Sequence, residues 1–119
     1  MYIYYDSNRQ PKQTHIYLAS PNGKFICSLN GIDESSFDLT LNLNNTSTLS
    51  FDLNKYINII DRKSLRTKEV VSNGYNLIDT LMRIYVEGIG WFIIDPSNPP
   101  SISHDGIKEI KNIKAQSVE

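Results

Sequence analysis

The chain is poor in the residues that most chemistry needs, and each shortage removes a class of protein. Cys27 is the one cysteine, so no internal disulfide can form and a stapled, secreted mini-domain is excluded. His15 and His104 are the two histidines. They lie in separate turn-rich stretches, with no Cys, Asp or Glu at the spacing of a tetrahedral zinc site. Neither charge dominates: 12 basic and 13 acidic residues leave a formal net charge of -1, which supplies no global field for nucleic acid or anionic membrane. No run approaches the ~18 apolar residues of a membrane span, and residues 1–6 lack the basic start and apolar core of a signal peptide. We therefore expect a chain made in the cytoplasm, with no membrane partner.

Catalytic signatures are equally scarce. No nucleophile elbow or phosphate loop occurs, and Gly88, Ile89 and Gly90 lack the third glycine and following helix of a dinucleotide site. Asp33, Glu34 and Asp38 lack the glycine and distal glutamate of a calcium loop and read as an exposed turn. Nothing favours any carboxylate pair for glycoside cleavage. The residues thus point away from an enzyme and ask for no cofactor or metal.

What is present is an ordinary globular composition, 39% hydrophobic and 21% charged over 119 residues, enough for one domain with a real core. The clearest pattern spans residues 35–53. Phe37, Leu39, Leu41 and Leu43 fall on every second position with Asp38, Thr40, Asn42 and Asn44 between them. The rhythm resumes as Leu49, Phe51 and Leu53 against Thr48, Ser50 and Asp52. Period two is the signature of a half-buried strand. Asn44, Asn45, Thr46 and Ser47 have the size and chemistry of a hairpin connection. The expectation is two long antiparallel strands needing a second layer over their apolar faces.

Other segments fit around this pair. Residues 1–6 are β-prone and 7–12 form a connector. Residues 14–19 and 24–29 read as strands joined by a turn at Ser20, Pro21, Asn22 and Gly23. The second of these strands puts Phe25, Cys27 and Leu29 on one face, with Cys27 as a small buried hydrophobe. Residues 54–80 lose the alternation and predict a long excursion with at most a short helix. Its cations Arg62, Lys63, Arg66 and Lys68, bracketed by Asp61 and Glu69, have no interleaved aromatic to stack a base and suit a solvated loop. Residues 81–86 predict a strand with Met82, Ile84 and Val86 on one face. Residues 89–94 are apolar on both faces, as in a central doubly covered strand or one packed between core and partner subunit. Asp95 to Pro100 ends that strand with three prolines, and His104, Asp105 and Gly106 predict a turn. Residues 107–118 combine a helix-like spacing of Ile107, Ile110 and Ile113 with a strand-like Ile113, Ala115, Ser117; a strand is preferred.

The aromatic concentration at Trp91, Phe92, Tyr85 and Tyr75 suits core or subunit interface, where rings contribute most burial. A sugar-binding platform is the second option. The sequence stops at Glu119 inside a plausible sheet element, which predicts that the natural protein continues.

Three segments together resemble a known family. They are IYLASPNGKFICSLNGIDESS (residues 16–36), LTLNLNNTSTLSFDLNKYI (39–57) and GYNLIDTLMRIYVEGIGWFIID (74–95). With KEIKNIKAQSVE (108–119) they look like the N-terminal domain of the tail-hub proteins of long-tailed bacteriophages and prophages, the tail-associated lysin or prophage endopeptidase tail family. The resemblance covers roughly residues 10–119 and consists of packing and turn patterns, without a chemical motif. It implies a mainly β domain, 1–119, an antiparallel β-barrel or sandwich of tail-tube type and the first domain of a longer hub. It further implies a homotrimer at the virion tail tip, docked on the distal tail protein ring beside other tail-tip proteins. DNA would pass through its channel without specific binding, and any peptidoglycan-cleaving activity would lie in later domains. On this reading Trp91, Phe92 and Tyr85 are interface or core, and Asp38, Thr40, Asn42, Thr48, Ser50 and Asp52 line the channel or a wet inter-subunit face. The alternative is a carbohydrate-binding β-sandwich; a small hydrolase comes third, with no residue set behind it.

Overall fold

The computed structural model describes residues 2–5, 11–42, 46–60, 62–106 and 108–117. The expected connector residues 7–10, the hairpin residues Leu43, Asn44 and Asn45, and Asp61, Ile107, Val118 and Glu119 lie outside them. Twelve strands are described: β1 (Tyr2–Tyr5), β2 (Pro11–Thr14), β3 (Ile16–Ala19), β4 (Phe25–Ser28), β5 (Asp38–Thr40), β6 (Thr48–Asn54), β7 (Tyr56–Ile60), β8 (Thr67–Val71), β9 (Arg83–Val86), β10 (Gly90–Ile94), β11 (Ser101–Asp105) and β12 (Lys108–Ser117). A single 3-10 turn, Glu34–Ser36, is the helical element among the described residues. The protein is mainly β and antiparallel, as the alternation predicts.

Eight strands form one sheet in the order β4-β3-β9-β10-β12-β6-β5, with β11 added to β12; β1-β2 and β7-β8 are separate ribbons. β12 is the spine. One edge pairs with β6 from Asn54 to Thr48. The other is divided, β11 taking its first half and β10 its end. The sheet curls around a core of Leu18, Leu49, Phe51, Leu53, Ile84, Val86, Phe92, Ile94 and Ile113, all at most 1% exposed. It does not close into a barrel, since β4 and β5 remain unpaired to each other. Residues 29–33 cross that opening as a strap. The Leu29 N–H donates to the Ile16 carbonyl at 2.9 Å, the Asn54 N–H to Gly31 at 2.8 Å and the Asp33 N–H to Asp52 at 2.9 Å. Each bond satisfies a backbone group that burial would otherwise leave costly, so the result is sandwich-like.

Several expectations are corrected. The hairpin at 35–53 exists, with Leu39 opposite Leu49, but β5 is three residues long: the 3-10 turn capped by Asp33 through the Ser35 N–H precedes it, and after Thr40 the Asn42 N–H turns to Ser47 Oγ rather than to a partner strand. Leu41 falls beyond β5 and is exposed. The strand expected at 14–19 breaks at His15, where the Glu87 N–H takes the His15 carbonyl at 3.0 Å and Thr14 Oγ1 donates to the Glu87 carbonyl at 2.6 Å. Phe25 does not share a face with Leu29. A register shift between Leu18 and Ala19 is a bulge, and one extra residue re-aims the side chain. Cys27 still packs against the core, and burial pushes its thiol pKa up. β10 is central but covered on one face only: Phe92 and Ile94 are buried, Trp91 and Ile93 half-exposed. His104 and Asp105 belong to β11, with the turn at Gly106. Residues 54–80 hold the β7–β8 ribbon and turns, without a helix among the described residues.

Candidate interaction surfaces

The outward face of the sheet divides into an aromatic half and a polar half. In the aromatic half Tyr17 is directly opposite Tyr85, and Tyr85 directly opposite Trp91, so three rings stand in a row across β3, β9 and β10. The bulge in β4 adds Phe25 above them. Phe25 stacks on Trp91 with centroids 5.4 Å apart and meets Tyr17 and Tyr85 edge-on, each at 5.7 Å; Tyr85 and Trp91 are 5.0 Å apart. Such pairs contribute about 0.5–1.5 kcal/mol each beyond burial. The platform nevertheless stays open, with Phe25 55% exposed. Beside it lies a shallow apolar hollow of about 340 Å³ lined by Tyr17, Phe25, Ile26, Cys27 and Ser28. Sequence reasoning picked out Trp91 and Tyr85 here and missed Tyr17 and Phe25. The alternation around Tyr17 signals its outward direction, whereas nothing local signals the bulge. Phe92 faces the core, and Tyr75 is buried elsewhere.

The polar half continues the same face, because Ile93 is opposite Gln116, Gln116 opposite Thr48 and Thr48 opposite Thr40. Ser50 lies between Lys114 and Asp38 in the next row, and Asp52 is opposite Asn112. Asn112 Nδ2 donates to Asp52 Oδ1 at 2.9 Å, and Gln116 Nε2 to Asp95 Oδ2 at 3.2 Å. The Ser97 N–H on Asp95 Oδ1, 2.8 Å away, holds that carboxyl below its ordinary pKa. Five expected residues, Asp38, Thr40, Thr48, Ser50 and Asp52, thus come together. Asn42 does not join them. It closes the loop after β5, its N–H donating to Ser47 Oγ and its Nδ2 to the Thr46 carbonyl, both at 3.0 Å.

The third surface is the β7–β8 arm. Its register runs from Tyr56 opposite Val71 to Ile60 opposite Thr67. Tyr56, Ile59, Ile60 and Val71 are exposed, and Leu65 is 81% exposed at a positive φ of 56°, a conformation that leucine rarely adopts. Arg62, Lys63, Arg66 and Lys68 are exposed at the tip and along β8. At the root, Glu109 accepts from Tyr75 Oη at 2.7 Å, pairs with Lys55 Nζ at 3.3 Å and meets His104 Nε2 at 3.2 Å. These partners, Tyr75 first, hold the Glu109 carboxyl below its ordinary pKa. Burial, then Glu109, drives the Tyr75 phenol upward. Lys111 lies 4.6 Å over the Tyr75 ring and donates to its carbonyl, and burial lowers its pKa. Ser72 ties the returning strand back, its N–H to the Lys55 carbonyl at 2.7 Å and its Oγ to that of Asn54 at 2.5 Å.

Among the described residues no group of three His, Cys, Asp or Glu is placed to hold a metal ion, and no helix is long and apolar enough to cross a membrane. Compared with protein-family models, with curated proteins and with solved structures, the chain matches none.

Proposed function

We propose that this chain is a structural domain of a bacteriophage or prophage tail tip. In this reading it belongs to a baseplate hub that assembles as a homotrimer below the distal tail protein ring and contributes to the DNA channel. The observation that carries the reading is the divided outer face. Asp38, Thr40, Thr48, Ser50 and Asp52 make a hydrated strip of short side chains, acidic where it is charged apart from Lys114. A DNA conduit needs such a wall, because clustered cations would grip phosphates through counterion release and hold the cargo. The neighbouring aromatic half and the arm supply the apolar area that a subunit contact requires. The domain works by contact and carries no reaction of its own. Its setting is the virion tail tip after synthesis in the host cytoplasm, and its partners are its own copies, the distal ring and other tail-tip proteins. The test is binding of the purified chain to the distal tail protein ring, with light scattering for self-association. Binding in the tens of micromolar range is expected; the absence of both ring binding and self-association at those concentrations would sink the reading.

A second reading rests on the Phe25–Trp91 stack, which is open to solvent as sugar-binding platforms are. A carbohydrate-binding module would show glycan-array binding that Trp91→Ala abolishes while the circular dichroism spectrum is kept.

A further inference from the structure

We infer that the tip of the β7–β8 arm docks on an anionic lipid surface, setting its cations on the headgroups and its apolar side chains at the acyl boundary. This goes beyond the hub reading and concerns the distal half of the arm alone. Charge summed over the whole chain supplies no field for an anionic membrane, but the local balance does. Residues 62–68 hold Arg62, Lys63, Arg66 and Lys68 and no acid, with Asp61 and Glu69 at the borders. All four cations are exposed, and among the described residues Arg62, Arg66 and Lys68 take part in no ion pair. The same tip displays its large apolar side chains: Ile60 is 69% and Leu65 81% exposed, with Ile59 beside them at 42%.

Placement of these groups selects lipid. Successive strand residues point to opposite faces, and Ile59 is opposite Lys68 whereas Ile60 is opposite Thr67. Ile59 and Lys68 therefore share one face, Ile60 lies on the other, and Leu65 stands in the turn between the strands. Covering all three takes a medium that closes round the ribbon from every side, as a bilayer interface does; a groove on a folded protein covers one face. Nucleic acid would answer the cations through its phosphates and leave Ile59, Ile60 and Leu65 wet. A bilayer surface answers both, since basic side chains gain on anionic headgroups and apolar ones at the acyl boundary. The ribbon is also free to reach it. β7 and β8 pair with no other described strand, and five steps from Lys55 to Ile60 at about 3.3 Å each carry the tip roughly 16 Å from its root. The arm lies on the bilayer and does not span it.

The experiment is flotation of the purified chain with phosphatidylcholine vesicles, alone or with about 30% phosphatidylglycerol to supply the anionic surface. The wild type is expected to float with the mixed vesicles, and about tenfold or more weakly with phosphatidylcholine alone. Two variants, Arg62→Gln/Arg66→Gln and Ile60→Ser/Leu65→Ser, should each bind the mixed vesicles about tenfold or more weakly than the wild type. All four positions are exposed, which keeps the fold, and circular dichroism checks it. Leu65→Trp tests insertion itself. Trp91 is the sole native tryptophan and lies in β10, off the arm, so wild-type emission should stay fixed on mixed vesicles while that of Leu65→Trp shifts to the blue. The inference is overturned if the wild type does not float with the mixed vesicles, or if the charge variant floats like the wild type. It is overturned too if the apolar variant floats like the wild type or the Leu65→Trp emission stays fixed, since either means adsorption by charge alone. Capture of duplex DNA by a chain that ignores the vesicles would assign the cations to nucleic acid instead.

Discussion

Two hairpins follow one another along the chain, β5–β6 and β7–β8, and they place their apolar residues differently. In β6, Leu49, Phe51 and Leu53 point into the core with polar residues between them. In β7, Tyr56, Ile59 and Ile60 are exposed although the segment is at least as apolar. The first hairpin is held by what it buries. The second is a two-stranded ribbon whose strands, among the described strands, pair only with each other, a form of marginal stability by itself, and it depends on its root. Lys55, Ser72, Glu109 and the strap at Gly31 all converge there. Burial sets the stability of one hairpin; attachment sets the position of the other.

The comparison can be broken at four places, in decreasing order of expected effect. Phe51→Ala removes a 1%-exposed ring packed 6.4 Å from Phe37 and should cost about 3–5 kcal/mol of stability in urea unfolding. Gly31→Ala strikes the junction, since an added Cβ meets Ser72 Cβ at 2.5 Å and the Asn54 carbonyl oxygen at 2.9 Å. Overpacking of this kind costs about 1–3 kcal/mol, read as a lowered urea midpoint with the slope unchanged.

Glu109→Gln loosens the arm root in a pH-dependent way. The folded-state pKa of Glu109 lies below the ordinary 4.5, so on acidification the unfolded chain takes up the proton first. The stabilisation is complete above 4.5 and fades as the pH falls through the lowered folded value. The gap in Tm between wild type and variant should therefore narrow in acid; a constant gap would remove Glu109 from the account. At the other extreme, Ile60→Ser should leave stability within about 0.5 kcal/mol, since Ile60 is 69% exposed. A larger loss in the isolated chain would mean that the arm packs on its own body.

These two hairpins also mark what is legible in the sequence. Alternation in β6 and β9 is visible because each has one wet face and one dry face, and periodicity reports that contrast. The arm lacks the contrast, being exposed along most of both strands, so its residues read as an excursion. The platform was half legible. Tyr85 and Trp91 stand out by type and by place in regular strands, but Phe25 reaches them through a bulge, a register change set by pairing with β3. In the polar strip, Asn42 kept the rhythm of β5 by sequence and left it in space, because the strand had already ended at Thr40.

The antiparallel pairing of β6 with β12 has a mechanical consequence. The arm is strung from the C-terminal end of β6 through Lys55, and the C-terminal end of β12 lies at the far end of the same ladder. Tension between the arm and Ser117 therefore runs along the strand axes. It loads the seven pairs from Asn54–Ile110 to Thr48–Gln116 in shear, all together, whereas a pull across the sheet would peel them one at a time. A neighbour tugging on the arm thus meets the stiffest direction of this domain.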